Sequence, residues 1–550
     1  MGKPGTGKTT YLANKILEKM GAGNASEDIF FTSFSRSASR AMFLKLKEQG
    51  FIGKDLRKTF GTIYHHANTA LAFNEDNYIR RDDYDKFCQQ ESIEFDAYHF
   101  SERKIEDIEE FGLTNDNGVY AEGNILFNWW SLLKLVFIDN DSVKKNMRTY
   151  YKLNGQQQSE LSNRSIDQII RFFDEWEAYK NKNNRYEFVD LLQICLMNKY
   201  PFPYPFKYVF LDESHDFGPL QMELIKLWYS SPSVEEVYIC WDPLQTIYTF
   251  TGANPNIVKD IKTDDEPIVL KKSYRVPKIP WEFAKKIAKT LNDLSMEGID
   301  SSDEEGDILF CETLKELFSF DFIRSDETMF FLCRKNVDVS KLQGVFQRLR
   351  IPVRGLGKGR QTIWSSEKFK NIYQLFIKLD KGEIPLREEI RSLLQVIPAS
   401  YLVRGVKQDF IKRRFNIWGK DGFDKEKLID DKMTIFFNLF KLNVDSLEKL
   451  KDLLSQPSIK QLTDCMKDYL LKTNKNDLSA VKVNRFIGTY HSSKGLDADN
   501  VILFDYMLNP DWDTSEETRL VYVGVTRTKN RLIIFTGNVD EYDGFVESFY

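Results

Sequence analysis

A glycine-rich segment at the start of the chain has residue types and a spacing that could hold phosphate groups. It reads Gly2-Lys3-Pro4-Gly5-Thr6-Gly7-Lys8-Thr9 and fits the pattern G-x-x-x-x-G-K-[ST]. Glycines let backbone N–H groups turn towards the phosphates, and a helix that begins here adds positive potential. Lys8 would reach the β and γ phosphates, and the hydroxyl of Thr9 would hold Mg²⁺. We therefore predict that ATP contacts Gly5, Thr6, Gly7, Lys8, Thr9 and Thr10.

The alternative interpretation of this segment is a flexible glycine-rich stretch that fits the pattern by chance. The residues that follow argue against it, because Leu12, Ile16 and Met20 fall on one face of an amphipathic helix. A loop of this kind should follow a buried strand, yet only Met1 precedes Gly2. We expect an upstream segment that contains the first strand of the sheet and any adenine-reading residues.

An acidic pair, Asp212-Glu213, follows the apolar run at residues 208–211. The carboxyl end of a buried strand is where an α/β sheet presents its ligands. Asp212 would hold Mg²⁺, directly or through water, and Glu213 would orient and deprotonate an attacking water. Such a pair is also common at the start of ordinary loops, so by itself it is a weak indication of a metal site. Its combination with Lys8 makes the indication strong. Together the two motifs predict a site for nucleotide hydrolysis.

Short apolar runs rich in Phe, Ile, Val and Tyr are the elements that must position these residues. Turn residues or a helical pattern follow each run, which is typical of buried parallel strands. The clearest runs are residues 208–211, 237–240, 329–332, 501–504 and 532–535. Two segments, about 74–185 and 379–481, have helical periodicity and little strand signal. The pattern predicts an α/β fold with two strand-bearing domains, two mainly helical insertions and an exposed acidic loop at residues 297–307.

Composition limits the class of protein. A chain of 550 residues exceeds one hydrophobic core, which predicts about three or four domains. Hydrophobic residues make up 42% and charged residues 29%, and no apolar run approaches the ~20 residues that span a bilayer. The six cysteines contain no C-x-x-C pair, which argues against a zinc site or a disulfide framework. Residues 1–4 contain no signal-peptide pattern, so we expect a cytoplasmic location and leave a viral or phage origin open.

Further motifs follow in order along the chain. They are residues 33–38 (SFSRSA), 62–67 (TIYHHA), 186–192 (YEFVDLL), 241–253 (WDPLQTIYTFTGA), 270–277 (LKKSYRVP), 488–497 (GTYHSSKGLD) and 517–527 (ETRLVYVGVTR). With the phosphate loop and the acidic pair, they resemble the motifs of the UvrD/Rep-type superfamily 1 DNA helicases over nearly the whole chain. The resemblance implies two RecA-like P-loop motor domains, with ATP and Mg²⁺ as cofactors.

The resemblance assigns roles around the nucleotide. Gln245 would sense the γ phosphate, and Arg275 and Arg527 of the second motor domain would reach it across a cleft. Tyr274 would stack on adenine, and Asp497 would lie near the ribose. A guanidinium is planar and always charged, which suits a transition state with charge spread over three oxygens. The expected cycle is closure of the cleft on ATP and relaxation after hydrolysis.

Two positions depart from the family pattern. His215 stands where a glutamine is usual, and it could replace that residue as a hydrogen-bond donor or could be a packed histidine. Asp497 stands where a glutamate is usual, and the shorter side chain would weaken a nucleotide contact. Because of these two departures, a protein that binds ATP but hydrolyses little of it stays an alternative hypothesis.

The resemblance also predicts the residues that contact single-stranded DNA. They are Phe34, Arg36, Tyr64, His65, Phe250, Thr489 and His491. The rings of Phe34 and Phe250 could stack on bases, while hydroxyl groups could contact phosphates. Taken alone, Phe34 is more often a core residue. The formal net charge of −5 gives no overall attraction to nucleic acid, so positive charge must be confined to a groove.

The family pattern divides the chain into four parts. The motor domains are residues 1–73 with 186–268 (1A) and 269–378 with 482–550 (2A), and the insertions are residues 74–185 (1B) and 379–481 (2B). We expect an ATP-dependent DNA helicase that moves 3′ to 5′ on single-stranded DNA and unwinds tailed duplex DNA. The alternatives are a single-strand translocase without autonomous unwinding and an ATP-gated nucleic-acid-binding module. The pathway, loading proteins and oligomeric state stay open.

Overall fold

The computed structural model confirms an α/β fold built on two sheets. It describes residues 1–49, 56–96, 121–147, 159, 161, 163–256, 258, 261, 266–291, 296–349, 351–356, 362–383, 385–407, 436–437, 439–441, 444–471, 483–504 and 514–537. The chain divides into two units. The first contains Met1–Phe310, Arg334–Val337 and Thr489–Ile534, and the second contains Cys311–Cys333, Asp338–Gly488 and Phe535–Tyr550.

The first sheet holds the end of the strand that presents the acidic pair. In the described part of the chain its strands are β1 (Ile29–Ser33), β2 (Phe60–Gly61), β3 (Tyr208–Asp212) and β4 (Glu236–Ile239). Their order is β2-β1-β3-β4, and the pairings are parallel. Every residue of β1 and β3 is buried, as expected of central strands that are covered on both faces. The predicted strands at residues 208–211 and 237–240 are confirmed.

Helices flank this sheet. They are Lys8–Gly21, Arg36–Glu48, Leu56–Thr59, Ile63–Leu71, Phe188–Met197 and Pro219–Tyr229. Leu12 and Ile16 of the first helix are buried in one core with Phe210 of β3, which confirms the predicted amphipathic helix. Hydroxyl caps begin two of the helices: Ser35 Oγ accepts from a backbone N–H at 3.2 Å, and Thr62 Oγ1 does so at 3.4 Å.

The predicted insertion at residues 74–185 is mainly helical where the structure describes it, as the sequence predicts. Its helices are Arg81–Gln90, Glu122–Val136, Asn140–Asn146 and Ile166–Asn183. They enclose an aromatic core, in which the rings of Trp130 and Phe173 stack with centroids 4.3 Å apart. Ser165 begins the last helix, because its hydroxyl accepts from the N–H of Gln168 at 3.2 Å. Residues 97–120 of the predicted insertion lie outside the described residues.

The second sheet contains the other predicted strands. Within the described residues its strands are β5 (Asp307–Cys311), β6 (Met329–Cys333), β7 (Arg354–Gly355), β8 (Arg485–Thr489), β9 (Ala498–Phe504) and β10 (Thr528–Phe535). Their order is β5-β10-β9-β6-β8-β7. The predicted strands at residues 329–332, 501–504 and 532–535 are confirmed. The acidic stretch before β5 is mostly exposed, as predicted, although Ile299 and Ser302 are buried.

The remaining helices belong to the later part of the chain. Those described are Lys278–Thr290, Leu314–Ser319, Asn336–Arg348, Glu367–Asp380, Arg387–Val396, Leu447–Ser455, Asp464–Leu471 and Thr514–Val525. Leu375, Leu393 and Leu450 lie fully buried in one core of the second unit. Residues 408–435 and 472–481 of the predicted second insertion lie outside the described residues. Among the helices described, none has the length and apolar character needed to cross a membrane.

The cysteines behave as buried thiols. Those whose side chains are described are free and buried: Cys88, Cys195, Cys240, Cys311 and Cys333. Burial raises the pKa of the Cys88, Cys195 and Cys240 thiols to about 12, which keeps them protonated. None of these five thiols forms a disulfide within the described part of the chain, and the side chain of Cys465 lies outside the described residues.

Candidate nucleotide-binding site

The glycine-rich loop packs directly against the segment that contains Arg275. Gly5 and Gly7 have φ angles of 75° and 87°, in the left-handed region that favours glycine. A Cβ atom on Gly5 would lie 2.5 Å from the Cβ of Arg275 and 2.7 Å from the Oγ of Ser273. The N–H of Tyr274 donates to the carbonyl of Gly5 at 2.9 Å. Gly5 is therefore where the loop meets the predicted adenine and γ-phosphate residues.

Lys3 is a buried cation within the loop. Its side chain is 0% exposed, and Nζ donates to Asp242 Oδ1 at 2.9 Å. Burial alone would raise the pKa of Asp242, but the charges of Lys3 and Lys8 lower it below its usual value. Thr6 Oγ1 donates to the carbonyl of Lys3 at 2.8 Å, which closes the turn of the loop. Asp242 therefore ties the phosphate loop to the segment that follows β4.

Thr9 and Asp212 meet at the carboxyl end of β3. Thr9 Oγ1 donates to Asp212 Oδ2 at 2.8 Å. Neighbouring ligands of an octahedral Mg²⁺ lie about 2.9 Å apart when each bond is about 2.0–2.1 Å long. The two oxygens therefore have the chemistry and the separation that this ion requires. Burial, and then the charge of Glu213, raises the pKa of Asp212 to about 6, and a bound divalent cation would favour the ionised carboxylate.

Glu213 adopts a backbone conformation that is rare for its residue type. Its φ is 51°, and a left-handed conformation costs a residue other than glycine about 1 kcal/mol. Burial alone would raise the pKa of its carboxyl group, but the charge of Lys8 and the neighbouring His215 lower it well below the usual value. The carboxylate is therefore ionised at neutral pH, which is the state that can accept a proton from water.

Gln245 bridges Asp242 and Arg527. Its Nε2 donates to Asp242 Oδ2 at 2.7 Å, and its Oε1 accepts from Arg527 Nη2 at 3.0 Å. Arg527 is 1% exposed, and its Nε donates to the carbonyl of Val523 at 2.9 Å. Burial, and then the positive charge of Arg275, lowers the pKa of Arg527 to about 9. An anion with charge spread over several oxygens would stabilise this pair of guanidinium groups.

Asp497 and Tyr274 both neighbour Arg275 but differ in their contacts. Arg275 Nη2 lies 3.4 Å from Asp497 Oδ1, and Lys529 forms a second ion pair with the same carboxylate. Tyr274 is 75% exposed, and Lys272 Nζ lies 5.9 Å from the centroid of its ring. An exposed aromatic ring of this kind can stack on a planar ligand. The short acid that departs from the family pattern is thus part of an ion-pair cluster.

Lys494 joins the acidic turn after β3 to the segment after β4. Its Nζ donates to the carboxylate of Asp216 and, at 2.6 Å, to the carbonyl of Gln245. The side chain is 9% exposed, and that of Asp216 is 2% exposed. A buried ion pair of this kind holds its two segments in a fixed relation, since either charge alone would be costly to bury.

A cavity of about 310 Å³ brings together three of the predicted DNA-contacting residues: Arg36 and His65, which are exposed, and Tyr64, which is buried. Its walls include Tyr78 and Phe188, whose rings stack with centroids 4.7 Å apart. Ser39 also lines it, and the buried Oγ of Ser39 has no hydrogen-bond partner among the described residues. A cation, aromatic rings and an unsatisfied hydroxyl are the groups that bind phosphates and bases.

Other predicted DNA-contacting residues are buried. They are Phe34, Tyr64, Thr489 and His491, of which Tyr64 lines the cavity. The ring of Phe34 packs on that of Tyr248 with centroids 4.9 Å apart, and burial lowers the pKa of His491 to about 3, so that its ring is neutral. The side chain of Phe250 lies outside the described residues. Contacts of these residues with DNA stay predictions.

Comparison with known proteins places the chain in a family. Residues 1–266 match the UvrD/REP helicase N-terminal domain, and residues 436–538 match the UvrD-like helicase C-terminal domain. The two matches together cover more than half of the chain. The chain belongs to the UvrD/Rep-type superfamily 1 helicases.

Two relatives match this UvrD/Rep-type chain over shorter segments. YjcD of Bacillus subtilis (strain 168), assigned by name as an ATP-dependent DNA helicase, is 27% identical over 120 residues, which are 20% of this chain and 15% of YjcD. An ATP-dependent helicase/nuclease subunit from Latilactobacillus sakei subsp. sakei (strain 23K) is 24% identical over 187 residues, which are 31% of this chain and 20% of that protein. The chain thus matches a fifth or less of each relative's length.

Several residues of the UvrD/Rep-type site were not predicted from the sequence. They are Lys3, Asp216, Asp242 and Lys494 near the nucleotide loop, and Ser39, Tyr78 and Phe188 at the cavity. Asp242, Lys494 and Phe188 lie within the quoted motifs, and Asp216 lies three residues after Glu213, so their positions were a usable signal. Lys3 fills a variable position of the loop pattern, and nothing local marks it as buried. Thr10, which was predicted to contact ATP, is exposed and accepts a hydrogen bond from Lys45.

Proposed function

We propose that this UvrD/Rep-type chain hydrolyses ATP and uses the energy to move along single-stranded DNA and to unwind tailed duplex DNA. The observation that carries the proposal is the placement of Arg527, which is buried, close to Arg275 and hydrogen-bonded to Gln245. The two positively charged guanidinium groups lie near the phosphate loop and near the oxygens of Thr9 and Asp212, which are suited to bind Mg²⁺. A triphosphate with its metal is the kind of anion that would balance these groups.

Each group has a distinct task in the proposed hydrolysis. The loop from Gly5 to Thr10 and the ammonium of Lys8 would hold the phosphates, while Tyr274 would stack on adenine and Asp497 would lie near the ribose. Thr9 and Asp212 would hold Mg²⁺, which when bound neutralises charge on the β and γ phosphates. The carboxylate of Glu213 would take a proton from the attacking water.

The arginines and Gln245 give the proposed site a way to detect the γ phosphate. Hydrolysis would remove the anion that offsets Arg275 and Arg527, and Gln245 would lose or change its partner. A short segment leads from Gln245 to Tyr248, whose ring lies 4.9 Å from Phe34 and 5.9 Å from His491. Both of those residues are predicted to contact DNA. This route supports coupling between the nucleotide state and the grip on the strand.

The proposed track is single-stranded DNA, followed in the 3′ to 5′ direction. The cavity with Arg36 and His65 supplies a cation and aromatic surfaces, and one relative is named as an ATP-dependent DNA helicase. The amino-acid sequence of the motif at residues 241–253 and the presence of two insertions favour movement in the 3′ to 5′ direction. The proposal keeps residues 1–73 with 186–268 and residues 269–378 with 482–550 as the two motor domains.

Phosphate release by the full chain, measured with and without single-stranded DNA, tests the ATPase. We expect DNA to stimulate hydrolysis, and we expect Lys8→Ala and Arg527→Ala each to lower kcat by about 100-fold or more, as loss of a charge-stabilising group does. Lys15→Ala, on the same helix as Lys8 but outside the loop, is the matched control. Equal hydrolysis by the parent and both site variants would refute the assignment of the site.

A fluorescent duplex with a 3′ or a 5′ single-stranded tail tests direction and unwinding. We expect ATP-dependent separation of the 3′-tailed duplex alone. Unwinding from the 5′ tail alone would overturn the direction. DNA-stimulated hydrolysis without separation of either duplex would favour the translocase, and ATP-dependent DNA binding without hydrolysis would favour the gated binding module.

A further inference from the structure

We propose that His215 is a positioning residue that orients the carboxylate of Glu213. The inference rests on the proposed function, in which Glu213 accepts the proton of the attacking water. The sequence left two interpretations of His215 open, a substitute donor and a packed histidine. The contacts of its two ring nitrogens distinguish them.

One ring nitrogen is fixed by the backbone. His215 lies in the short turn Ser214–Asp216 that follows β3, and its side chain is 0% exposed. The N–H of Asp242 donates to His215 Nδ1 at 3.1 Å. A backbone N–H can only donate, so Nδ1 must present its lone pair. The neutral ring therefore has its proton on Nε2, and this single contact sets both the tautomer and the direction of the ring.

The other ring nitrogen faces three charged groups. His215 Nε2 lies 3.2 Å from Glu213 Oε2, 3.3 Å from Lys494 Nζ and 3.8 Å from Asp216 Oδ2. An ammonium has no acceptor, so Nε2–H can donate only to a carboxylate. Asp216 is the more distant of the two, and it already accepts a hydrogen bond from Lys494. Glu213 is therefore the partner of Nε2–H.

The state of Glu213 supports this pairing. Its Oε2 is buried and has no fully aligned hydrogen-bond partner among the described residues, so a small rotation that aligns His215 Nε2–H would satisfy it. A donor held on Oε2 leaves Oε1 to accept the proton of water. The ring that supplies the donor is anchored through Asp242, whose carboxylate is paired with Lys3 and Gln245.

Two substitutions of His215 test the contacts of its two ring nitrogens one at a time. In His215→Asn the amide oxygen can take the place of Nδ1 and accept from Asp242, but nothing reaches Glu213. In His215→Gln the amide nitrogen can take the place of Nε2 and donate to Glu213, while the N–H of Asp242 loses its acceptor. A purely structural histidine and a positioning histidine therefore predict opposite orders of activity.

We expect His215→Asn to keep a thermal midpoint near that of the parent but to lower kcat for ATP by about 30- to 100-fold, since a misplaced base is costly. His215→Gln should have the lower midpoint and the higher kcat, within about fivefold of the parent. The KM for ATP should change by less than about threefold in both, because neither variant removes a phosphate contact. His66→Asn and His66→Gln are matched controls, because His66 is also 0% exposed, and among the described residues it bonds to the carbonyl of Phe31 at 3.0 Å and packs on the rings of Phe30 and Phe202.

The outcomes distinguish this inference from the function on which it rests. If activity follows stability, with His215→Asn faster than His215→Gln, or if both variants match the parent, the positioning role is refuted while the ATPase stands. If the parent hydrolyses no ATP, the proposed function is refuted and the inference with it. If the His66 variants show the same split in kcat, the effect does not belong to Glu213.

Discussion

Replacing Lys180 by methionine would break a buried charge cluster in the first unit. Lys180 Nζ lies 2.8 Å from Glu187 Oε2, 2.6 Å from Asp190 Oδ2 and 2.9 Å from Glu177 Oε1. Lys134 shares these carboxylates, and the two lysine side chains are 0% and 1% exposed. The cluster joins two helices of the predicted first insertion to the helix Phe188–Met197.

The size of the loss follows from the charges that remain. Two ammonium groups face three carboxylates, so the formal charge of the cluster is 2 − 3 = −1, and without Lys180 it becomes 1 − 3 = −2. Removing one partner of a buried ion pair costs about 3–5 kcal/mol, because the other charge stays buried without compensation. Glu177 is 20% exposed and can recover some hydration. We therefore expect a loss near the lower limit, about 3 kcal/mol.

Urea unfolding followed by tryptophan fluorescence measures this loss, because Trp130 and Trp176 lie in the same core. Lys182→Met is the matched control: it removes an exposed lysine from the same helix, and it should change the free energy of unfolding by less than about 0.5 kcal/mol. If Lys180→Met unfolds at the same urea concentration as the parent, or if the control loses as much, the cluster does not stabilise the fold as we argue.

Substitutions can test the charge on Glu177, the close approach at Gly5 and the exposed cation of Arg36. Burial alone would raise the pKa of Glu177, but Lys134 and Lys180 lower it. The ionised carboxylate therefore stabilises the folded state fully above the usual pKa of 4.5, and this stabilisation is lost as the pH falls below that value. Urea unfolding between pH 6 and 3 should show a steeper fall in the free energy of unfolding for the parent than for Lys180→Met. Gly5→Ala should weaken binding of a fluorescent ATP analogue by about tenfold or more, because the added Cβ would meet Arg275. The control Gly23→Ala, where φ is 91° and nothing lies within 4 Å of the added Cβ, should bind the analogue as the parent does. Equal loss of binding in both variants would contradict a role for the contact between Gly5 and Arg275. Arg36→Ala should weaken single-stranded DNA binding and reduce the slope of log affinity against log salt by about 0.7, because one phosphate contact is lost. Fluorescence anisotropy measures both quantities, and Arg40→Ala on the same helix is the control. An unchanged slope in Arg36→Ala, or the same change in Arg40→Ala, would exclude a phosphate contact by Arg36.

The local features of the fold could be predicted from short stretches of sequence. The phosphate loop, its helix and the strand before Asp212 depend on backbone dihedrals and on apolar spacing within about ten residues, which are properties that a sequence displays directly. The helices of residues 74–185 and the strands at 329–332, 501–504 and 532–535 follow from the same periodicities. The two-residue strands β2 and β7 are too short to give an alternating pattern, and pairing with neighbours defines them.

The order of the family motifs determined which family the chain belongs to, but the tertiary structure decided which side chains meet. Lys3 and Asp242 are 239 residues apart, and Gln245 and Arg527 are 282 residues apart; only the packed sheet and its helices bring such groups within hydrogen-bond distance. Burial is likewise a property of the whole fold, which is why Phe34 could not be assigned to the surface or to the core from its motif. The orientation of His215 depends on one backbone N–H from a distant segment. Residue types and spacing thus determined the chemistry available to this chain, while packing over long sequence separations decided how that chemistry is arranged.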